Sequence, residues 1–184
     1  SYRKWTVMLF TLESETGTRP IDTIESVLNK DKKVATYKLA LLRALAEFAV
    51  TNYNLAEWRD DGYVKIPVGK IAEKWIEYYW PIFEAGEFIP QIQAEDGGGK
   101  PVAFRALLSE LIQKARITGG LPAFTVNSRN RNLSDDIEKL YKKTLSKVRN
   151  TIIYGPVTYS GGAGGEAVFG YEKGYILIPF SIWR

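Results

Sequence analysis

The chain has 184 residues, 45% hydrophobic and 25% charged, which is enough apolar material for one packed domain and too much for a disordered chain. It contains no cysteine and no histidine, which excludes disulfide scaffolds, thiolate or imidazole zinc sites, and the serine-triad, Cys-His, zincin and HNH activities built on those side chains. Its 25 basic and 21 acidic residues leave a formal charge of +4, which permits a polyanionic partner without requiring one.

In chain order, Trp5, Val7 and Leu9 alternate with Thr6, Met8 and Phe10, the pattern of a short strand. Asp22 and Glu25 stand at capping-box spacing beside Ile24, Val27 and Leu28 and predict a short helix. After a polar break at 29–33, Thr36 can cap a helix to about Val50. Only Lys38, Arg43 and Glu47 interrupt its apolar residues, so it is expected at the centre of the core. Its most apolar run, Leu39 to Val50, is about half the ~20 residues needed to cross a bilayer, so no membrane span is expected. Ser1 to Thr16 lacks the pattern of a secretory signal, and a cytoplasmic location is expected.

Asp60 to Gly62 reads as a turn, Tyr63 to Ile66 as a short strand, and Pro67 as the start of a helix. Val68, Ile71, Ala72, Trp75, Ile76 and Tyr79 fall on one face of that helix, and Lys70, Glu73, Lys74, Glu77 and Tyr78 fall on the other. It is expected to stop at Trp80 and Pro81. Residues 84–90 read as a loop. The three glycines within 95–100 mark the only sub-boundary in an otherwise single domain, 1–184. Pro101 opens a helix to about Ile117, which Gly119 and Gly120 stop.

Ser134 is placed to cap the last helix. Asp135, Asp136 and Glu138 in its first turn and Lys142, Lys143, Lys147 and Arg149 towards its end match the helix dipole. Thr151–Tyr159, Ala167–Tyr171 and Tyr175–Phe180 read as strands, with Lys173 and Gly174 in a tight hairpin turn. The class is therefore α+β: a mainly helical core with a C-terminal antiparallel hairpin or small sheet, reminiscent of a winged helix.

Three local patterns offer chemistry. The glycine run 160–165 lacks the Lys-Ser/Thr ending and following helix of a phosphate loop and reads as a flexible wing. Asp60, Asp61 and Lys65 lie near a strand, but Tyr63 and Val64 stand where a metal nuclease needs its second acid, so no metal and no cofactor are expected. Ser128, Arg129, Asn130 and Arg131 form a polar loop with donors suited to phosphates and base edges. Lys114 and Arg116 on the preceding helix, and Lys142 and Lys147 on the following one, are candidates to extend it. Tyr78 and Trp80, off the apolar stripe and beside Gln91 and Gln93, are candidates to stack and read a base. Trp75 and Tyr79 are assigned to the core.

The stretch from Thr36 to Ala49, followed by Ile71 to Pro81 and its glutamine loop, resembles the N-terminal region of bacterial and archaeal HNH restriction endonucleases of the modified-DNA type. That nuclease needs histidines this chain lacks, so the resemblance implies a DNA-recognition module without its catalytic half. The partners it implies are double-stranded DNA, with a modified base as the feature read, the nuclease domain of the same polypeptide and, as an option, a second copy in a homodimer. A defence role by restriction-modification follows from it. The competing reading is a protein-interaction module that docks a nuclease to partner subunits.

Overall fold

Two β-branched stretches far apart in the chain meet at the centre of a small sheet. In a computed structural model, which describes residues 35–87, 89–91, 101–161 and 165–183 together with Ile24, β2 (Tyr63–Pro67) pairs antiparallel with β4 (Tyr175–Pro179) along its whole length. The two-residue β1 (Glu57–Trp58) lies outside β2 and β3 (Gly170–Glu172) outside β4, giving the order β1-β2-β4-β3. Val64 opposes Ile178 and Ile66 opposes Ile176, and all four are buried, so one sheet face closes over the core. Lys173 and Gly174, at φ 45° and 92°, form the expected hairpin turn between β3 and β4.

The helices supply the rest. They are α1 (Ala35–Thr51), α2 (Val68–Glu84), α3 (Arg105–Arg116), α4 (Gly120–Arg129), α5 (Asp135–Ile152) and the one-turn α6 (Phe180–Trp183). The class is α+β, helical in the main. Helix α2 is the hub, packed against α1, α3 and α5. Its stripe of Val68, Ile71, Ala72, Trp75, Ile76 and Tyr79 is buried as the spacing predicts, and Trp75 and Tyr79 join Tyr37 and Phe104 in an aromatic core at centroid distances of 5.1–6.5 Å. Because α3 packs on α2 and α5, the glycine-rich stretch before it joins elements of one shared core. No helix among the described residues is long and apolar enough to cross a membrane.

Several expectations need correction. Helix α2 runs through Pro81 to Glu84, because Phe83 stacks on Tyr79 (5.6 Å) and Phe104 (6.0 Å), and this packing outweighs the one backbone bond that proline removes. Helix α3 starts four residues after Pro101, the intervening chain first placing Val102 and Phe104 in the core. Residues 120–129 form a helix that the glycines and Pro122 concealed. Ser128 and Arg129 therefore lie on its last turn and not in a loop. Ser134 stands at the start of α5 but its hydroxyl makes no capping bond.

Thr151–Tyr159 is not a strand, and of Ala167–Tyr171 only Gly170 and Tyr171 lie in one. Helix α5 continues to Ile152 and passes into a π turn over 153–157, because Ile152, Ile153 and Val157 are buried against the helices and packing overrides their β propensity. On α1, Lys38 is buried while Leu39 and Val50 face outward, so the helix is less fully enclosed than its composition suggested. The strand expected at Trp5–Phe10 and all but Ile24 of the helix expected after Asp22 lie outside the described residues; Ile24 is helical.

Candidate nucleic-acid interface

Helix α5 is amphipathic, with Ile137, Leu140, Thr144, Val148 and Ile152 buried. At 100° per residue, the side chains left outside fan over an exposed arc of roughly 160° from Arg149 and Lys142 to Lys147, with Lys139 and Lys143 between them. From 139 to 149 the arc holds five cations and no acid. Lys142 is paired with Glu138 at 2.7 Å, while Lys139, Lys143 and Lys147 follow one another at four-residue spacing without an ion pair among the described residues.

A cleft of about 480 Å³ opens between α2, α4 and α5, on the Lys142 side of that arc. Ser128, Arg129 and Arg131 line it, together with Lys70, Glu73 and Glu77 from α2. Tyr141 of α5 closes it from below, edge-on to Phe124 at 5.1 Å. Burial pushes the Tyr141 hydroxyl up to about 12; the hydrogen-bonded Ser128 hydroxyl pulls the other way, and the charges of Glu73 and Glu77 add to the rise. It is a neutral hydrogen-bonding group at physiological pH.

The end of α4 aims these arginines. The Asn132 N–H reaches back to the Asn127 carbonyl (2.8 Å) and the Arg131 N–H to that of Ser128 (3.3 Å), a helix stop that needs a left-handed residue at position 131. Arg131 occupies it at φ 55°, where glycine is the ordinary choice. Asn130 is exposed beside it.

The other predicted contacts are dispersed. Arg116 is hydrogen-bonded to the Glu84 carbonyl at 3.2 Å and paired with its carboxylate at 3.4 Å. That holds it roughly 10 Å along α2 from Glu77, and the neighbouring Lys114 does not line the cleft. Trp80, expected off the buried stripe, is fully buried with its ring 5.0 Å from Phe124, because it follows Ile76 by four residues and so shares the buried face of α2; it cannot stack on a base without opening the core. Tyr78 lies on the other side of α2, under the Arg43 guanidinium (4.0 Å) and beside Glu47, with burial and then that carboxylate raising its hydroxyl. Gln91 is buried near the start of α1, where its backbone carbonyl accepts from the Thr36 hydroxyl. Tyr78, Trp80 and Gln91 thus form no common wall, and Gln93 lies outside the described residues.

Asp61 is ion-paired with Arg59 at 2.6 Å and Lys65 with Glu57 at 3.1 Å, which accounts for the acid and lysine near β2. At the glycine run, a Cβ on Gly161 would clash with the Glu166 carbonyl oxygen, so the two ends of that loop pass too close for any side chain there. The sequence reading missed Lys139, although its four-residue spacing to Lys143 and Lys147 was a visible signal. It also missed Lys70, Glu73, Glu77 and Tyr141 as cleft residues, which no spacing connects to Arg129 and Arg131.

No curated protein and no solved structure matches the chain. Residues 17–179 match the model of a domain of unknown function, DUF8808, and the chain belongs to that family.

Proposed function

We propose that this domain binds DNA through the exposed face of α5, with Arg129 and Arg131 gripping the backbone at its edge. The observation that carries the reading is the run of five cations and no acids between 139 and 149 on a solvent-facing arc. Lysines and arginines presented this way gain affinity for a polyphosphate backbone by releasing its condensed counterions. The resemblance of the α1 and α2 sequences to restriction-endonuclease recognition regions supports the finer reading, that the module selects DNA for a nuclease domain of the same polypeptide.

The test is fluorescence anisotropy with matched duplexes, unmodified or carrying a methylated base, at several salt concentrations. Binding should weaken steeply with salt, and Lys143→Ala with Lys147→Ala should lower the log–log slope by roughly 0.9 per lost phosphate contact. A modification preference that survives higher salt would support the finer reading. A second reading has its own observation: Tyr53, Trp58 and Tyr63 are exposed around β1, with Trp58 5.0 Å from Phe180, an aromatic surface suited to a protein partner. Absence of duplex binding at low salt would favour that surface and refute the DNA reading.

A further inference from the structure

The cleft between α2, α4 and α5 sets two carboxylates and Lys70 on its α2 wall against two arginines at the end of α4. On α2, Glu73 and Glu77 stand one helical turn apart, Glu73 paired with Lys70 at 2.9 Å and Glu77 with Lys74 at 3.4 Å. At the end of α4, Arg129 and Arg131 are exposed and have no ion pair among the described residues. Ile76, Leu121 and Phe124 make an apolar floor between them, and Thr125, Ser128 and Tyr141 add hydroxyls.

A ligand that satisfies this lining carries an anion at one end and hydrogen-bond donors at the other, joined by a flat body. A nucleotide whose base bears an exocyclic amine has that composition. Guanidinium forks bind phosphate oxygens in pairs, carboxylates accept from the amine of cytosine, and the base can lie along the apolar floor. The volume of about 480 Å³ falls within the range of small-ligand sites. We propose that the cleft takes one nucleotide unit, its phosphate on Arg129 and Arg131 and the amino edge of its base towards Glu73 and Glu77. This deepens and rests on the nucleic-acid reading of α5, and the nucleotide comes either free or within a strand.

The experiment is calorimetric titration of the full chain with cytidine and uridine 5′-monophosphates, inorganic phosphate, and short oligo-dC and oligo-dT strands. The amine should favour cytidine monophosphate over uridine monophosphate by about fivefold or more, because the uracil O4 presents a second acceptor to the carboxylates. Glu73→Gln combined with Glu77→Gln should remove that preference, since an amide can donate to O4. Arg129→Ala with Arg131→Ala should abolish binding of both at an unchanged Tm. A dC-over-dT preference lost in the glutamine variants, with no binding of the free nucleotides, would support the cleft and identify the strand as the source. Equal affinity for the two monophosphates and the two strands, no measurable binding of any, or a preference indifferent to the glutamine variants would each overturn the cleft proposal. If duplex binding through Lys143 and Lys147 persisted in those cases, the α5 reading would stand. Tight cytidine monophosphate binding without any strand or duplex binding would support the cleft and remove the α5 reading.

Discussion

Arg131→Gly separates stability from binding at one position. Arg131 holds φ 55° at the stop of α4, where a non-glycine residue costs about 1–2 kcal/mol and glycine nothing. Against that gain, glycine adds unfolded-chain entropy worth about 0.5–1 kcal/mol. The Arg131 side chain has no ion pair among the described residues to offset the balance. The expected net effect is a stabilisation of roughly 0.5–1 kcal/mol, or about 1–4 °C in Tm for a chain of this size. The same substitution removes a guanidinium from the cleft, so the salt slope of DNA binding should fall by about 0.9. Differential scanning calorimetry and anisotropy on one preparation read both quantities. Lys173→Asn is the control: it relaxes a left-handed residue at φ 45° in the β3–β4 turn, away from the cleft, and should raise Tm without moving the slope. A lower Tm for Arg131→Gly would refute the backbone reasoning, and an unchanged slope would refute the assignment of its side chain to phosphate.

Three further outcomes follow from buried groups. Lys38 is 1% exposed and its Nζ has no hydrogen-bond partner among the described residues, so Lys38→Met, which keeps the length and removes the buried polar head, should stabilise by about 1 kcal/mol or more, read as a higher urea midpoint; a loss would mean the amine is satisfied. Gly161→Ala should destabilise by about 1–3 kcal/mol, because a Cβ there would clash with the Glu166 carbonyl and force the ends of the loop apart, and an unchanged Tm would show that those ends do not approach. The Tyr141 hydroxyl titrates near 12 when folded and near 10 when unfolded, so its contribution is complete below pH 10 and is lost as pH rises towards 12. Tyr141→Phe should flatten the fall in Tm over that window, and a parallel decline in both proteins would count against a buried Tyr141.

The α+β class, the buried face of α2, the extent of α1, the turn at Lys173 and Gly174 and the polarity of α5 were legible in the sequence, because each is local: a 3.6-residue period, a dipole-matched charge order, a residue pair suited to left-handed angles. Where local preference and packing disagreed, packing decided. The β-branched run at Thr151–Ile153 became helix because Ile152 and Ile153 had helices to bury against, and Pro81 stayed inside α2 because Phe83 gained Tyr79 and Phe104. Trp80, by contrast, belonged to the core by period as well, four residues after Ile76 on the buried face of α2. The cleft was beyond any local reading, since Glu73 and Arg129 are 56 positions apart and come to line one cleft only through the packing of α2, α4 and α5. Composition set what charge and chemistry were available to this chain, and long-range burial chose which of those side chains share a surface.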